Sequence, residues 1–287
     1  MNKRERISKF LSEVVLGIGT LIMMIPVYYF VISSFKNRQD VIKSPLTITP
    51  ETFTLENFPY VISKMKYWGA MANTAFITAM ALVIVVVLAS LAGFAIARFR
   101  HKFFAGYYKL IVTLMVIPFI GCLLPLTTIS VKLGLYNSIW GCILIQAAWN
   151  MPFAVFLYTG FMQGIPTELE EAAYLDGCKP VGVYARIFLP LLAPVTATCC
   201  IRQGVGMWND YLVSRTLLNE NKNPTLMVGI TGFFGSRGSE LAYAMTGVLL
   251  VSIPMVVLFL CLQKYFIKGI AAGAVRSEEH TSELQSR

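Results

Sequence analysis

The chain has 287 residues, 56% of them hydrophobic and only 14% charged, with a mean hydropathy of +0.65. A soluble domain carries roughly 25% charged residues, so this chain cannot cover itself with a water-facing surface. Disorder, a nucleic-acid-binding arm and most cytosolic enzymes are excluded. The net charge of +9 points to lipid rather than nucleic acid, because the basic residues gather at the ends of apolar runs.

A helix crosses a bilayer with about 20 mostly apolar residues, since backbone groups cannot go unpaired in lipid. The first such run, 14–34, follows a short cytoplasmic segment, 1–13, that carries Lys3, Arg4, Arg6 and Lys9. It is too long for a signal peptide and lacks a small-x-small cleavage site before Lys36, so it reads as a retained span. A long outer loop over 36–70, with Pro45, Pro50 and Pro59, leads to a second span at 71–97. Ala89, Gly93 and Ala97 recur there every four residues, a seam for a helix of the same bundle or of another subunit. The third span, 104–131, reads as broken by Pro118 and Pro125, and the fourth, 139–162, contains Pro152. The fifth and sixth are expected at 188–212 and 241–266. Between them, 219–239 is a flexible Gly-rich outer loop with an exposed pair, Phe233 and Phe234.

The reading is an all-α polytopic membrane protein of six transmembrane helices. Arg98, Arg100, Lys102, Lys264, Lys268 and Arg276 then share the cytoplasmic side with both termini, N-in and C-in. Lys36, Arg38, Lys43, Lys64 and Lys66 dissent, partly balanced by Asp40, Glu51 and Glu56. The transmembrane domain covers 14–276. The polar, aperiodic stretch 277–287 reads as a disordered tail foreign to it.

Catalytic chemistry has little to work with. Two histidines, His101 and His280, and six cysteines without a CxxC indicate no metal site, no disulfide framework and no catalytic residues. No GxxxxGK[ST] loop is present, so the chain holds no ATP and no cofactor of its own. The polar residues at membrane depth are more telling. Arg202 and Gln203 lie in the fifth span, where a charge costs about 2.5–3.5 kcal/mol on insertion scales. Trp149 and Asn150 lie in the fourth. With Asn209, these mark either a translocation path or structural pairs.

The cytoplasmic loop over 163–187 is the most informative segment. Thr167 and Glu170 have capping-box spacing, a helix is expected over 168–176, and Gly177 supplies a left-handed stop. Leu169, Ala172 and Ala173 fall on one thin face, which could pack on its own bundle or enter another protein's groove. Pro180 opens a second short helix through Arg186, and Pro190 and Pro194 bend the chain into the fifth span.

The pattern Glu171-Ala172-Ala173, three residues, Gly177, nine residues, Ile187-x-Leu189-Pro190 closely resembles the EAA loop of ABC-importer membrane subunits. Asn73-Thr74, Trp208-Asn209-Asp210 and the stretch 263–275 are similar to the carbohydrate, maltose-transporter type. The resemblance implies a type I ABC-importer permease fold in a bacterial cytoplasmic membrane, multi-pass. It implies that Glu171, Ala172, Ala173, Asp176, Gly177, Ile187, Leu189 and Pro190 couple to a separate ATPase dimer, which uses the ATP and magnesium. It also implies a second, homologous permease subunit as a heterodimer partner, and an extracytoplasmic binding protein that delivers a sugar. A polyamine, phosphate or peptide is the alternative solute. An ion-coupled carrier is disfavoured, because inverted repeats with broken helices are not visible.

Overall fold

The computed structural model describes residues 3–99, 101–234 and 240–261. Arg100, Lys264, Lys268, Arg276, the motif at 263–275 and the tail at 277–287 lie outside the described residues. In chain order the helices are α1 Lys3–Ser34, α2 Asp40–Lys43, α3 Asn57–Lys64, α4 Tyr67–Arg98, α5 Lys102–Leu114, α6 Phe119–Lys132 and α7 Ile139–Gln163. There follow α8 Glu168–Leu175, α9 Pro180–Val183, a π turn at Tyr184–Phe188, α10 Leu189–Leu191, α11 Ala193–Trp208, α12 Leu212–Leu217, α13 Leu226–Thr231 and α14 Leu241–Cys261. Among the described residues no strand forms, and Lys36 and Phe53 make an isolated bridge.

Four helices, α1, α4, α7 and α14, are long and apolar enough to cross a membrane, and two bent pairs raise the number to six if each is one span. The third expected span is one of these pairs: α5 and α6 meet at 107°. Only Pro118 breaks it, as the N-cap of α6, whereas Pro125 sits inside α6 without ending the helix. The fifth is the other pair, bent by 69° at Leu192. Pro180 and Pro194 open its two arms, where their missing N–H is no loss, and Pro190 lies in α10 just before the bend. The main arm ends at Trp208, short of the expected 212.

The described residues fall into two compact units, 3–68 with 226–254, and 69–225 with 255–261. In the first, α1 leaves Leu21 and Met23 72% and 76% exposed, as an apolar helix in lipid can. Its C-terminal carbonyls need partners: Asn57 Nδ2 and Thr246 Oγ1 both donate to Ser34 O. Lys36 is buried, with Nζ donating to Ser44 O and Pro45 O at 2.6 and 3.1 Å. Burial pushes this ammonium below its usual pKa range, against the opposing pull of Asp40. Of the loop expected to be flexible at 219–239, Leu226–Thr231 form α13, which buries Leu226, Val228 and Ile230. Phe233 is also buried, in edge contact with Tyr243; only Phe234 of the expected pair is exposed.

The second unit is built on α4, α7 and α11. Ala81, Val85, Ala89 and Gly93 make one buried stripe along α4. A Cβ on Gly93 would stand 2.9 Å from Tyr158 Cβ and 3.1 Å from Thr159 N of α7. At Gly93 the small-residue seam therefore packs inside this chain. Tyr158 in turn donates through its hydroxyl to Thr196 Oγ1 of α11 at 2.9 Å. At the other end, Asn73 Nδ2 donates to Pro224 O, tying the start of α4 to the 219–225 loop.

Candidate functional site

Two groups of polar residues stand out in the second unit. The first is the α8–α9 segment. Three carboxylates, Glu168, Glu170 and Glu171, occupy the first turn of α8, where the helix dipole favours negative charge. The expected capping box does not form: Thr167 has helical dihedrals and makes no side-chain cap. Glu170 instead lies 3.5 Å from Arg98 Nε. The C-terminus follows expectation. Gly177 has φ +79°, Cys178 N donates to Ala173 O and Gly177 N to Tyr174 O, the paired bonds of a Schellman cap.

The faces of α8 are divided differently from the sequence reading. Of the face that could pack on its own bundle or enter another protein's groove, Ala173 is buried against its own bundle. Glu171 and Ala172 are exposed, and the Glu171 carboxylate has no partner among the described residues. Asp176 and Gly177 are exposed at the turn, Ile187 is half-buried in the π turn, and Leu189 and Pro190 are exposed on α10. Two bare apolar side chains flank the turn and were missed: Leu175 at 90% exposure and Val181 at 78%. An apolar residue on either side of a helix-stopping glycine was the available signal.

The second group faces two open cavities of about 410 and 450 Å³, which share Trp149, Asn150 and Arg202. Gln203 borders one and Asn209 the other. Arg202 is exposed, its guanidinium 5.7 Å from the Phe153 ring, with no carboxylate in ion-pair range among the described residues. Trp149 stands edge-on to Phe119 at 4.6 Å. Asn150 Nδ2 donates back to Gln146 O, and Asn150 O accepts from Gln203 Nε2 at 2.8 Å. Gln203, buried, is thus committed to tying α11 to α7. Arg202, Trp149 and Asn209 keep free surface toward the cavities.

Asp210 reads in the sequence only as part of a motif, and its geometry is architectural. Its carboxylate accepts from Val213 N, Ser214 N, Ser214 Oγ and Gln146 Nε2, all within 3.1 Å. It thereby starts α12 and fastens it to α7. Asp210→Ala leaves these donors unpaired, at about 1–3 kcal/mol each where buried. A lower thermal midpoint in detergent is expected, with Asp210→Asn falling between the two.

Among the described residues no cluster of His, Cys, Asp or Glu could hold a metal. Residues 86–272 match the family described as binding-protein-dependent transport system inner membrane component. The melibiose/raffinose/stachyose import permease protein MelC of Bacillus subtilis (strain 168) is 37% identical over 253 residues, 88% of this chain and 91% of that protein. The arabinooligosaccharides transport system permease protein AraQ of Halalkalibacterium halodurans is 31% identical over 258 residues, 89% and 92%. A chain of a bacterial ABC transporter involved in the import of the acidic polysaccharide alginate has the same fold. It superposes with a TM-score of 0.76 at 22% identity, covering 93% of this chain and 99% of that one.

Proposed function

The chain belongs to the family of binding-protein-dependent transport system inner membrane components, and from that premise we propose that it is the permease subunit of an ATP-driven sugar importer. The observation that carries the coupling half of this reading is the α8–α9 segment: Glu171 exposed and without a partner among the described residues, Leu175 bare one turn on, and Val181 bare beyond the Gly177 turn. An exposed acidic group on a segment that also bares two apolar side chains suits a basic cleft in an ATPase, not a lipid surface. The chain has no phosphate loop, so an ATPase dimer supplies the energy. A second permease subunit completes the pathway, and an extracytoplasmic binding protein delivers the solute. The solute is a sugar or oligosaccharide, as the names of the relatives suggest for those proteins. Work then passes as rigid-body motion: the ATPase closes, α8 moves, and the permease pair rocks about the solute.

Affinity purification of the complex from its own membranes, through a tag on this subunit, tests the reading. An ATPase and a second permease are expected to co-purify. Their absence under gentle solubilisation would overturn it.

Within the cavities, Trp149 offers a ring face, and Arg202 and Asn209 offer donors to sugar hydroxyls. A free guanidinium also repels a polycation, which argues against a polyamine solute. Arg202→Gln removes a charged hydrogen-bond donor, worth about 1.5–3 kcal/mol. Uptake is expected to fall roughly ten- to hundredfold, with the complex intact by size-exclusion chromatography. Full uptake in that variant would remove Arg202 from the path.

A further inference from the structure

Arg98 reads in the sequence as one of the cytoplasmic basic residues that orient the protein. The structure buries it: its side chain is 6% exposed. Its Nη2 donates to Met162 O and Ile165 O at 2.9 and 2.7 Å, carbonyls of the last turn of α7 and of the link from it to α8. Its Nε lies 3.5 Å from Glu170 of α8, a charge pair without an aligned hydrogen bond. The face of the guanidinium stacks on the Phe188 ring at 4.8 Å. One side chain thus holds the end of α7, the start of α8 and the π turn that follows α9.

Arg98 is the last of three contacts at four-residue spacing along α4. One turn back, Phe94 packs against Tyr184 and Phe188 with ring centroids 5.4 and 5.0 Å apart. One turn further, Ser90 Oγ and the Tyr184 hydroxyl share a hydrogen bond of 2.7 Å. Positions 90, 94 and 98 lie on one helical face, beside the stripe of Ala89 and Gly93 that meets α7. This second stripe grips the α8–α10 segment and the end of α7, and Phe94 also meets Phe99 beyond the end of α4.

Connectivity gives these contacts their meaning. The α8 helix is joined by short links to α7 before it and, through α9 and α10, to α11 after it. No such link reaches α4, since Arg98 and Ile165 are 67 residues apart in sequence. A displacement of α8 reaches α4 through non-covalent contacts alone: directly through these side chains, or by way of α7, which meets Gly93 farther from α8. We infer that Arg98, with Phe94 and Ser90, is the positioning residue that makes α4 move with the ATPase-facing segment, so that a push on α8 becomes a movement of the transmembrane core. The inference rests on the reading of α8 as the ATPase-facing helix.

The test uses the complete importer in proteoliposomes, with uptake of the transported sugar and ATP hydrolysis measured on the same vesicles. A purely structural role for Arg98 would lower both rates together, through loss of folded complex. A coupling role lowers uptake per ATP. Arg98→Gln is expected to lower that ratio by roughly three- to thirtyfold, with the ATPase still co-purifying because Glu171, Leu175 and Val181 are untouched. Glu170→Gln shifts it the same way by less. The double variant is no worse than Arg98→Gln alone, because both changes break one pair. Arg98→Lys keeps the charge but not the fork that spans two carbonyls and a carboxylate, and recovers only part of the ratio.

A wild-type ratio in both Arg98→Gln and Glu170→Gln, or losses that simply add, overturns the inference. Should Arg98→Gln fail to assemble, Glu170→Gln decides alone: a lowered ratio supports the link and a normal one removes it. A wild-type complex without ATP-driven uptake shows at once that the importer reading itself has failed, and the inference falls with it.

Discussion

Glu171→Lys is expected to abolish ATP-driven uptake, lowering it by about a hundredfold or more. The residue lies in the first turn of α8, exposed, with no partner among the described residues, so reversing it disturbs nothing inside this chain. The folded subunit should be made in normal amounts. What changes is the surface offered to the ATPase: a cation replaces the anion meant for a basic group, and like charges in a desolvated interface repel. Glu171→Gln, which removes the charge without reversing it, should fall between wild type and Glu171→Lys. Uptake assays and co-purification of the ATPase check both variants. Unchanged uptake in Glu171→Lys would remove this face of α8 from coupling. The same assay applies to Leu175, at 90% exposure: Leu175→Asp should weaken capture of the ATPase without lowering the yield of the subunit.

Gly93→Leu is expected to prevent folding of the second unit. The position faces Tyr158 and the backbone of Thr159 so closely that a first carbon would be 2.9 Å from Tyr158 Cβ. Neither neighbour is the free end of a flexible side chain, so α4 and α7 would have to separate. Overpacking of this kind costs about 1–3 kcal/mol for a small addition; a leucine should exceed that, and Gly93→Ala should lie within it. Separating the helices would also pull Arg98 from Met162 O and Ile165 O, adding unpaired buried donors to the cost. Thermal midpoints in detergent measure the effect. Gly160→Ala on α7, where nothing lies within 4 Å of the added carbon, is the control and should leave the midpoint unchanged. Equal midpoints for Gly93→Ala and Gly160→Ala would mean that α4 and α7 do not approach so closely.

Much of the coupling segment was legible from local rules. Gly177 reads as a left-handed stop because a helix end needs a residue free of the Cβ penalty, and it has φ +79°. Pro180 reads as a helix start because its missing N–H is an orphan there in any case, and α9 begins at that residue. Thr167 shows the limit of such rules. Its spacing to Glu170 suits a capping box, but a buried Arg98 offered the carboxylate a stronger partner, and the backbone at Thr167 stayed helical. Asp210 shows the same from the other direction. An acidic residue beside Trp208 and Asn209 is a motif in one dimension; only folding brings Gln146 of α7 within reach of its carboxylate.

The sequence by itself determined the solvent, the number and order of apolar segments, the breaks at Pro118, Pro190 and Pro194, and the spacing of the coupling loop. These follow from composition, length and backbone chemistry, which are local. The tertiary structure decided which way each residue faces: Ala173 inward and Leu175 outward, Gly93 against α7, Arg202 exposed at both cavities and Gln203 buried with its amide bonded to Asn150 O. In water, the hydrophobic period of a helix reveals its buried face. In a bilayer the lipid-facing and the protein-facing sides are both apolar, so the period carries no such information. The polar residues at membrane depth, and the buried Arg98 at the membrane's edge, found their partners only once the helices were packed.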